Sequence, residues 1–114
     1  MADANHKLPI TVLLAAKNEA VNLPRCLGAL GPAERVVVLD SRSTDATAEI
    51  ALSQGAEVVQ FDYRGGYPKK RQWGLDHLTI TTPWVLLLDA DEVVPDALWR
   101  EIAAVIQATD ACDA

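Results

Sequence analysis

An α/β fold, with a mainly parallel four-stranded sheet and helices on both faces, is predicted by three observations. Short apolar runs alternate four times with segments of helical pattern. The apolar runs are nearly unbroken by polar residues, as strands buried on both faces must be. Each helical segment is long enough to return the chain, so successive strands run parallel through right-handed crossovers.

The first strand is "ITVLLAA" (10–16), followed by a helix in "NLPRCLGALG". Asn22 suits its cap, Pro24 suits its first turn, and Leu23, Leu27 and Leu30 share one face before Gly31 and Pro32 stop it. "RVVVLD" (35–40) is the second strand. "STDATAEIALSQG" (43–55) is the second helix, with Ser43 or Thr44 as cap, Asp45 near the positive end of the dipole and Gly55 as terminator. "AEVVQF" (56–61) is the third strand, and Gly65 and Gly66 form a loop. "PKKRQWGLDHL" (68–78) is a helix weakened by Gly74. "WVLLLD" (84–89) is the fourth strand, and Pro95 opens a final helix with Leu98, Ile102, Val105 and Ile106 on one stripe. The whole is a Rossmann-like three-layer sandwich, one domain over residues 1–114.

Composition narrows the function. Ten basic against sixteen acidic residues leave a net charge of −6, which disfavours nonspecific binding to nucleic acid or anionic lipid. No apolar run approaches the roughly 20 residues of a membrane helix. "MADANHKLPI" lacks the apolar core of a secretory signal, so a cytoplasmic protein is expected. Cys26 and Cys112 have no metal-site spacing; Cys26 reads as a reduced core thiol.

In sheets of this kind ligands bind beyond the carboxyl ends of the strands. Three polar clusters fall there: "KNE" after the first strand, "DSRSTD" after the second and "DADE" after the fourth. In "DADE", Asp89 and Asp91 can point into one space, where their mutual repulsion calls for a cation. Hard carboxylate oxygens suit Mg²⁺ or Mn²⁺ shared with substrate phosphates. The competing reading is an acidic turn in which Glu92 and Asp96 complement the dipole of the Pro95 helix. Asp40, at the tip of the second strand, can accept from ribose hydroxyls or a base edge, while Ser43 to Asp45 read as helix-start chemistry. Glu19 either contacts a nucleotide or orients its loop. Lys69 and Lys70 read as a solvated basic face, and Arg71 as a separate cation suited to a diphosphate. Trp73 and Trp84 are core candidates and Trp99 is half-exposed. His6 and His77 have no partner pattern.

Taken in order, "ITVLLAAKNEAVNLPRCLGAL", "VVVLDSRSTDATAEIA", "YPKKRQWGL" and "WVLLLDADE" resemble the amino-terminal half of a family-two glycosyltransferase of GT-A fold. The likeness is strongest to bacterial enzymes that add a sugar to lipopolysaccharide core or other envelope glycans. It runs from about residue 8 to residue 107. The resemblance implies strand order three, two, one, four. It implies a nucleotide-sugar donor, UDP-linked by expectation, with Glu19, Asp40, Arg71 and Asp89 at the donor and Asp91 on a divalent metal, Mn²⁺ or Mg²⁺. Such a metal offsets charge on the departing diphosphate.

Family members continue into an acceptor region with a carboxylate general base, and nothing in these 114 residues matches that base. The expectation is a truncated GT-A domain that binds donor but transfers weakly or not at all, since inverting transfer needs a positioned base and acceptor. The fourth strand is then an open edge, and a homo-oligomer through it or the final helix is expected. A sugar-nucleotide nucleotidyltransferase is the alternative enzyme, but Lys17 stands where its loop glycine belongs. A self-associating fragment without catalysis is the third reading.

Overall fold

The computed structural model describes residues 7–62 and 70–113, with side chains over 7–62 and 72–109. Strand β1 (Leu8–Ala16) leads to helix α1 (Leu23–Gly28), β2 (Ala33–Asp40) to α2 (Thr47–Ser53), β3 (Glu57–Gln60) to α3 (Lys70–His77), and β4 (Trp84–Asp89) to α4 (Asp96–Asp113). The sheet is parallel throughout, in the order β3-β2-β1-β4. The alternation and strand order expected from the sequence are both present.

Strand β1 is apolar because it is central. Val12, Leu13 and Leu14 are fully buried between β2, β4 and the helices. Side chains alternate across the sheet. Ile10, Val12, Leu14 and Ala16 join Val38, Leu88, Leu23 and Cys26 of α1, Ala51 of α2, and Trp99 and Ile106 of α4 in the larger core. Leu13, Val37 and Leu39 face the other way, against Trp73, Leu78 and Ile80. Helices therefore cover both faces, α3 alone on the second among the described residues.

Gly74 explains how α3 sits so close. A Cβ there would lie 2.8 Å from Leu39 Cδ1 and 3.4 Å from Leu13 Cδ1. The glycine that weakens the helix by propensity is the contact that seats it on the sheet. Gly55 follows α2 with φ +86, the left-handed turn foreseen for its end.

Four local expectations are corrected. Helix α2 begins at Thr47 with Ala46 as cap, not at Ser43 or Thr44, because the Ser43 hydroxyl turns back to Asp40 at the end of β2 and Asp45 reaches the loop after β1. Asn22 makes no side-chain cap; its amide donates to Glu19 Oε1 at 3.2 Å. Trp99 is buried, since α4 lies against α1 and the indole Nε1 donates to the Ala29 carbonyl at 2.7 Å. Among the described residues, strand β4 is covered on one face only. Val85 and Leu87 remain exposed because α3 packs over β1 and β2. Trp73 and Trp84 pack against the two cores while staying partly exposed.

Candidate functional site

The strand register builds the site. Ala16 of β1 pairs with Asp40, Ala15 pairs with Asp89, and Asp40 pairs on its other side with Gln60. Two carboxylates thus flank the end of β1, two strand spacings or roughly 10 Å apart at the backbone. This is the crevice end of a parallel sheet.

Asp40 is 1% exposed. Its Oδ1 accepts from the Ser43 hydroxyl, and its Oδ2 accepts from Gln60 Nε2 at 2.8 Å. A buried carboxylate persists because donors surround it. The Ser43 N–H adds long contacts of 3.4 Å to both oxygens, so a ligand donor reaching Asp40 meets a carboxylate already fixed in direction. Gln60 also accepts from the Arg42 backbone N–H at 3.1 Å. Arg42 has φ +51 and its guanidinium grips Asp62 through two bonds, Nε to Oδ1 at 2.7 Å and Nη2 to Oδ2 at 3.1 Å.

The loops after β1 and β2 are stitched together. Asn18, with φ +52, donates its N–H to Ser43 Oγ at 2.8 Å and accepts from the Thr44 N–H at 2.7 Å. The Glu19 N–H donates to Thr47 Oγ1 at 2.9 Å, and the Ala20 N–H donates to Asp45 Oδ2 at 3.1 Å. The hydroxyl and N–H of Thr47 also donate to Asp45 and hold its carboxyl below the usual aspartate range, the hydroxyl most. Three successive amides after β1 are therefore occupied by side chains of the neighbouring loop. The Glu19 side chain accepts from Asn22 Nδ2 at 3.2 Å.

Beyond β4 the chain makes a tight acidic turn. The Asp89 N–H donates to Glu92 Oε1 at 2.8 Å, the Glu92 N–H donates to the Asp89 carbonyl at 3.0 Å, and the Ala90 N–H donates to the Ala15 carbonyl at 3.1 Å. Glu92 folds back to brace the turn rather than cap the next helix. Asp89 and Asp91 are exposed at its surface. The buried Cys26 thiol reports their common field: burial first, then Glu92, Asp91 and Glu19, push it up to about 11. Glu19, Asp91 and Glu92 thus all lie near enough to Cys26 of α1 to act on it.

Arg71 falls in the first turn of α3. Its side chain and that of Lys70 lie outside the described side chains, as does that of Cys112; His6, Gly65, Gly66 and Lys69 lie outside the described residues. His77 stacks on Trp73, with ring centroids 4.8 Å apart, and its Nδ1 meets the Trp73 carbonyl at 2.9 Å. Sequence reasoning passed over Gln60 and Asn18. The one polar residue in "EVVQF" and an asparagine beside a strand end, a residue tolerant of positive φ, were the available signals.

Comparison with known proteins places this geometry. The profile of glycosyl transferase family 2 matches residues 11–114. An uncharacterized glycosyltransferase of Mycobacterium tuberculosis is 42% identical over 82 residues, 72% of this chain and 36% of that protein. The lipopolysaccharide core biosynthesis glycosyltransferase LpsC of Rhizobium meliloti is 31% identical over 108 residues, 91% of this chain and 39% of that protein. Glucosyl-3-phosphoglycerate synthase from Mycobacterium tuberculosis, crystallised with Mn²⁺, UDP and glucosyl-3-phosphoglycerate, superposes with TM-score 0.65 at 27% identity, over 88% of this chain and 39% of that one. The TarS protein of S. aureus shares the fold, with TM-score 0.69 at 24% identity over 88% of this chain and 20% of that one. The chain spans under two-fifths of the length of each of these relatives. With the parallel order β3-β2-β1-β4 and the acidic turn after β4 in place, the chain belongs to glycosyl transferase family 2.

Proposed function

We propose that these residues form the donor-binding part of a glycosyltransferase that takes a nucleoside-diphosphate sugar, of the UDP class, with Mn²⁺ or Mg²⁺. The observation that carries the reading is the strand pairing that ends β2 at Asp40 and β4 at Asp89, opposite the consecutive residues Ala16 and Ala15 of the central β1, with Asp91 two residues further on. Asp40 and Glu19 are assigned to the nucleoside end, Arg71 and Asp89 to the donor, and Asp91 to the metal. The mycobacterial synthase crystallised with Mn²⁺ and UDP supports the choice of donor and cation.

The residues fit such a cation. Asp89 and Asp91 offer exposed hard oxygens. Among the described residues no group of three His, Cys, Asp or Glu is arranged to hold an ion by protein alone. That suits an ion which completes its shell with diphosphate oxygens. Bound there, it offsets charge building on the leaving diphosphate. The chain's own part is to orient: the stitched loops hold Asp40, and the Glu92 brace holds Asp89 and Asp91 outward.

The acceptor is assigned to the envelope-glycan class, on the likeness to LpsC, and the reaction to the cytoplasm. Among the described residues no helix is long and apolar enough to cross a membrane. Donor binding, rather than complete transfer, is the activity assigned to these 114 residues.

Calorimetry with UDP tests the reading. Binding is expected to weaken when Mn²⁺ or Mg²⁺ is chelated, and Asp91→Ala is expected to cost about 2–4 kcal/mol and abolish the metal dependence. Absence of binding at millimolar UDP with Mn²⁺ present overturns it.

A further inference from the structure

Gln60 stands where no ligand role is needed, yet two features of the site meet on its amide. It ends β3, directly paired with Asp40 in the sheet. Its Nε2 donates to Asp40 Oδ2 at 2.8 Å, while its Oε1 accepts from the Arg42 N–H at 3.1 Å. The first bond sets the rotation of a carboxylate that is 1% exposed. The second holds a non-glycine residue at φ +51, a conformation that L residues adopt only when their surroundings impose it. Both ends of one planar amide are thus in use, and the amide's orientation is fixed by them: exchanging its N and O would set a carbonyl against a carboxylate and an NH₂ against an N–H.

We propose that Gln60 is a positioning residue for the nucleoside end of the donor, acting through Asp40 and the backbone of Arg42. This rests on the assignment of Asp40 to the nucleoside. The physical case is preorganisation. A carboxylate with its direction already fixed loses little freedom when it accepts a ligand hydrogen bond. Ser43 holds Asp40 from its own loop, through its hydroxyl to Oδ1 and through long N–H contacts of 3.4 Å to both oxygens; the Gln60 amide adds the donor from the neighbouring strand, at 2.8 Å to Oδ2, and so fixes the carboxylate from its other side. The charges facing the amide are Asp40 on β2 and the Arg42–Asp62 pair at the ends of β2 and β3. A glutamine therefore serves where a glutamate would repel Asp40 and a leucine would take one donor from the carboxylate and leave the Arg42 N–H without its acceptor.

Three ligands measured on two variants test this: UDP with Mn²⁺, uridine alone, and inorganic pyrophosphate with Mn²⁺. Gln60→Leu is expected to weaken UDP and uridine by the same factor, roughly tenfold, for loss of hydrogen bonds at a charged group. Pyrophosphate affinity is expected to stay unchanged. Gln60→Glu supplies a protonated isostere at low pH and a repelling carboxylate at high pH. Its UDP affinity, taken as a ratio to the native chain at each pH, is expected to recover toward one as pH falls from 8 to 5. Circular dichroism at each pH confirms that the variants are folded. Equal loss of uridine and pyrophosphate binding would show a structural role and overturn the proposal, as would native affinity for uridine in Gln60→Leu. Failure of either variant to fold would also overturn it, since a positioning residue is dispensable to the fold. If the native chain binds pyrophosphate with Mn²⁺ but no uridine, the assignment of Asp40 itself fails, and the proposal with it.

Discussion

The Cys26 thiol, 1% exposed, lies beneath the strand-end loops and senses their charge. Burial is the main reason its pKa rises from 9.0 to about 11, with Glu92, Asp91 and Glu19 adding to it. A thiol pKa raised in the folded state favours folding while the thiol is protonated in both states. That contribution is whole below pH 9, where the unfolded thiol begins to ionise, and is lost as pH rises through about 11. The loss is on the order of 2 kcal/mol. Urea midpoints measured from pH 8 upward are expected to fall more steeply for the native chain than for Cys26→Ala. Alkylation of Cys26 at pH 8 is expected to be slow when folded and fast in urea. Equal alkaline slopes in the two proteins would refute this account of the thiol.

Helix α3 depends on one close approach. Gly74 lets its backbone reach Leu39 and Leu13, two side chains that are fully buried. Gly74→Ala gains up to about 1 kcal/mol of helix propensity, but the added methyl must displace Leu39 Cδ1 from 2.8 Å inside a packed core. Overpacking of that kind costs about 1–3 kcal/mol. The net expectation is destabilisation by about 1 kcal/mol with an unchanged urea m-value. A stabilised variant would mean that α3 rides higher on the sheet than described. The paired loops after β1 and β2 act as a second element-scale device, joining residues 18–20 to residues 43–47 and so tying the entry of α1 to that of α2.

At the scale of the whole sheet, β3 and β4 are the edge strands among the described residues, and on β4 Val85 and Leu87 are 37% and 39% exposed. Beside it a groove of about 280 Å³ runs between β4 and α4, lined by Ile10, Trp84, Leu86, Leu98, Ile102 and Val105 among others, with Glu101 the one charged residue. An edge strand with neither charge nor proline from Trp84 to Leu88 is a template for another strand. For this chain alone in solution the expected occupant is a second copy. Light scattering at micromolar concentrations is expected to show a dimer or larger species, and Leu87→Lys is expected to return it to monomer without loss of fold. A native monomer with slow amide exchange from Val85 to Leu88 would contradict the open edge.

Much of this architecture was legible in the order of residues. Four apolar runs separated by helical segments specify a parallel sheet, because a strand buried on both faces has nowhere to place a polar side chain. The polar clusters "KNE", "DSRSTD" and "DADE" end those runs, so they gather at one end of the sheet whatever the packing. The tertiary structure alone decided the rest. Ser43 and Asp45 have the chemistry of helix caps, and Asp45 does accept from Thr47 at the start of α2, but both also take N–H donors from the loop after β1, which only folding brings near. Trp99 reads as half-exposed on its own helix and is buried because α1 happens to cover it. Leu87 matches its neighbours in hydropathy and is exposed because α3 stops at β1. Gln60 looks like an ordinary surface glutamine until β3 is laid beside β2. Periodicity reports which face of an element is apolar; which element covers that face, and which distant donor meets a given carboxylate, is set by how the crossovers stack.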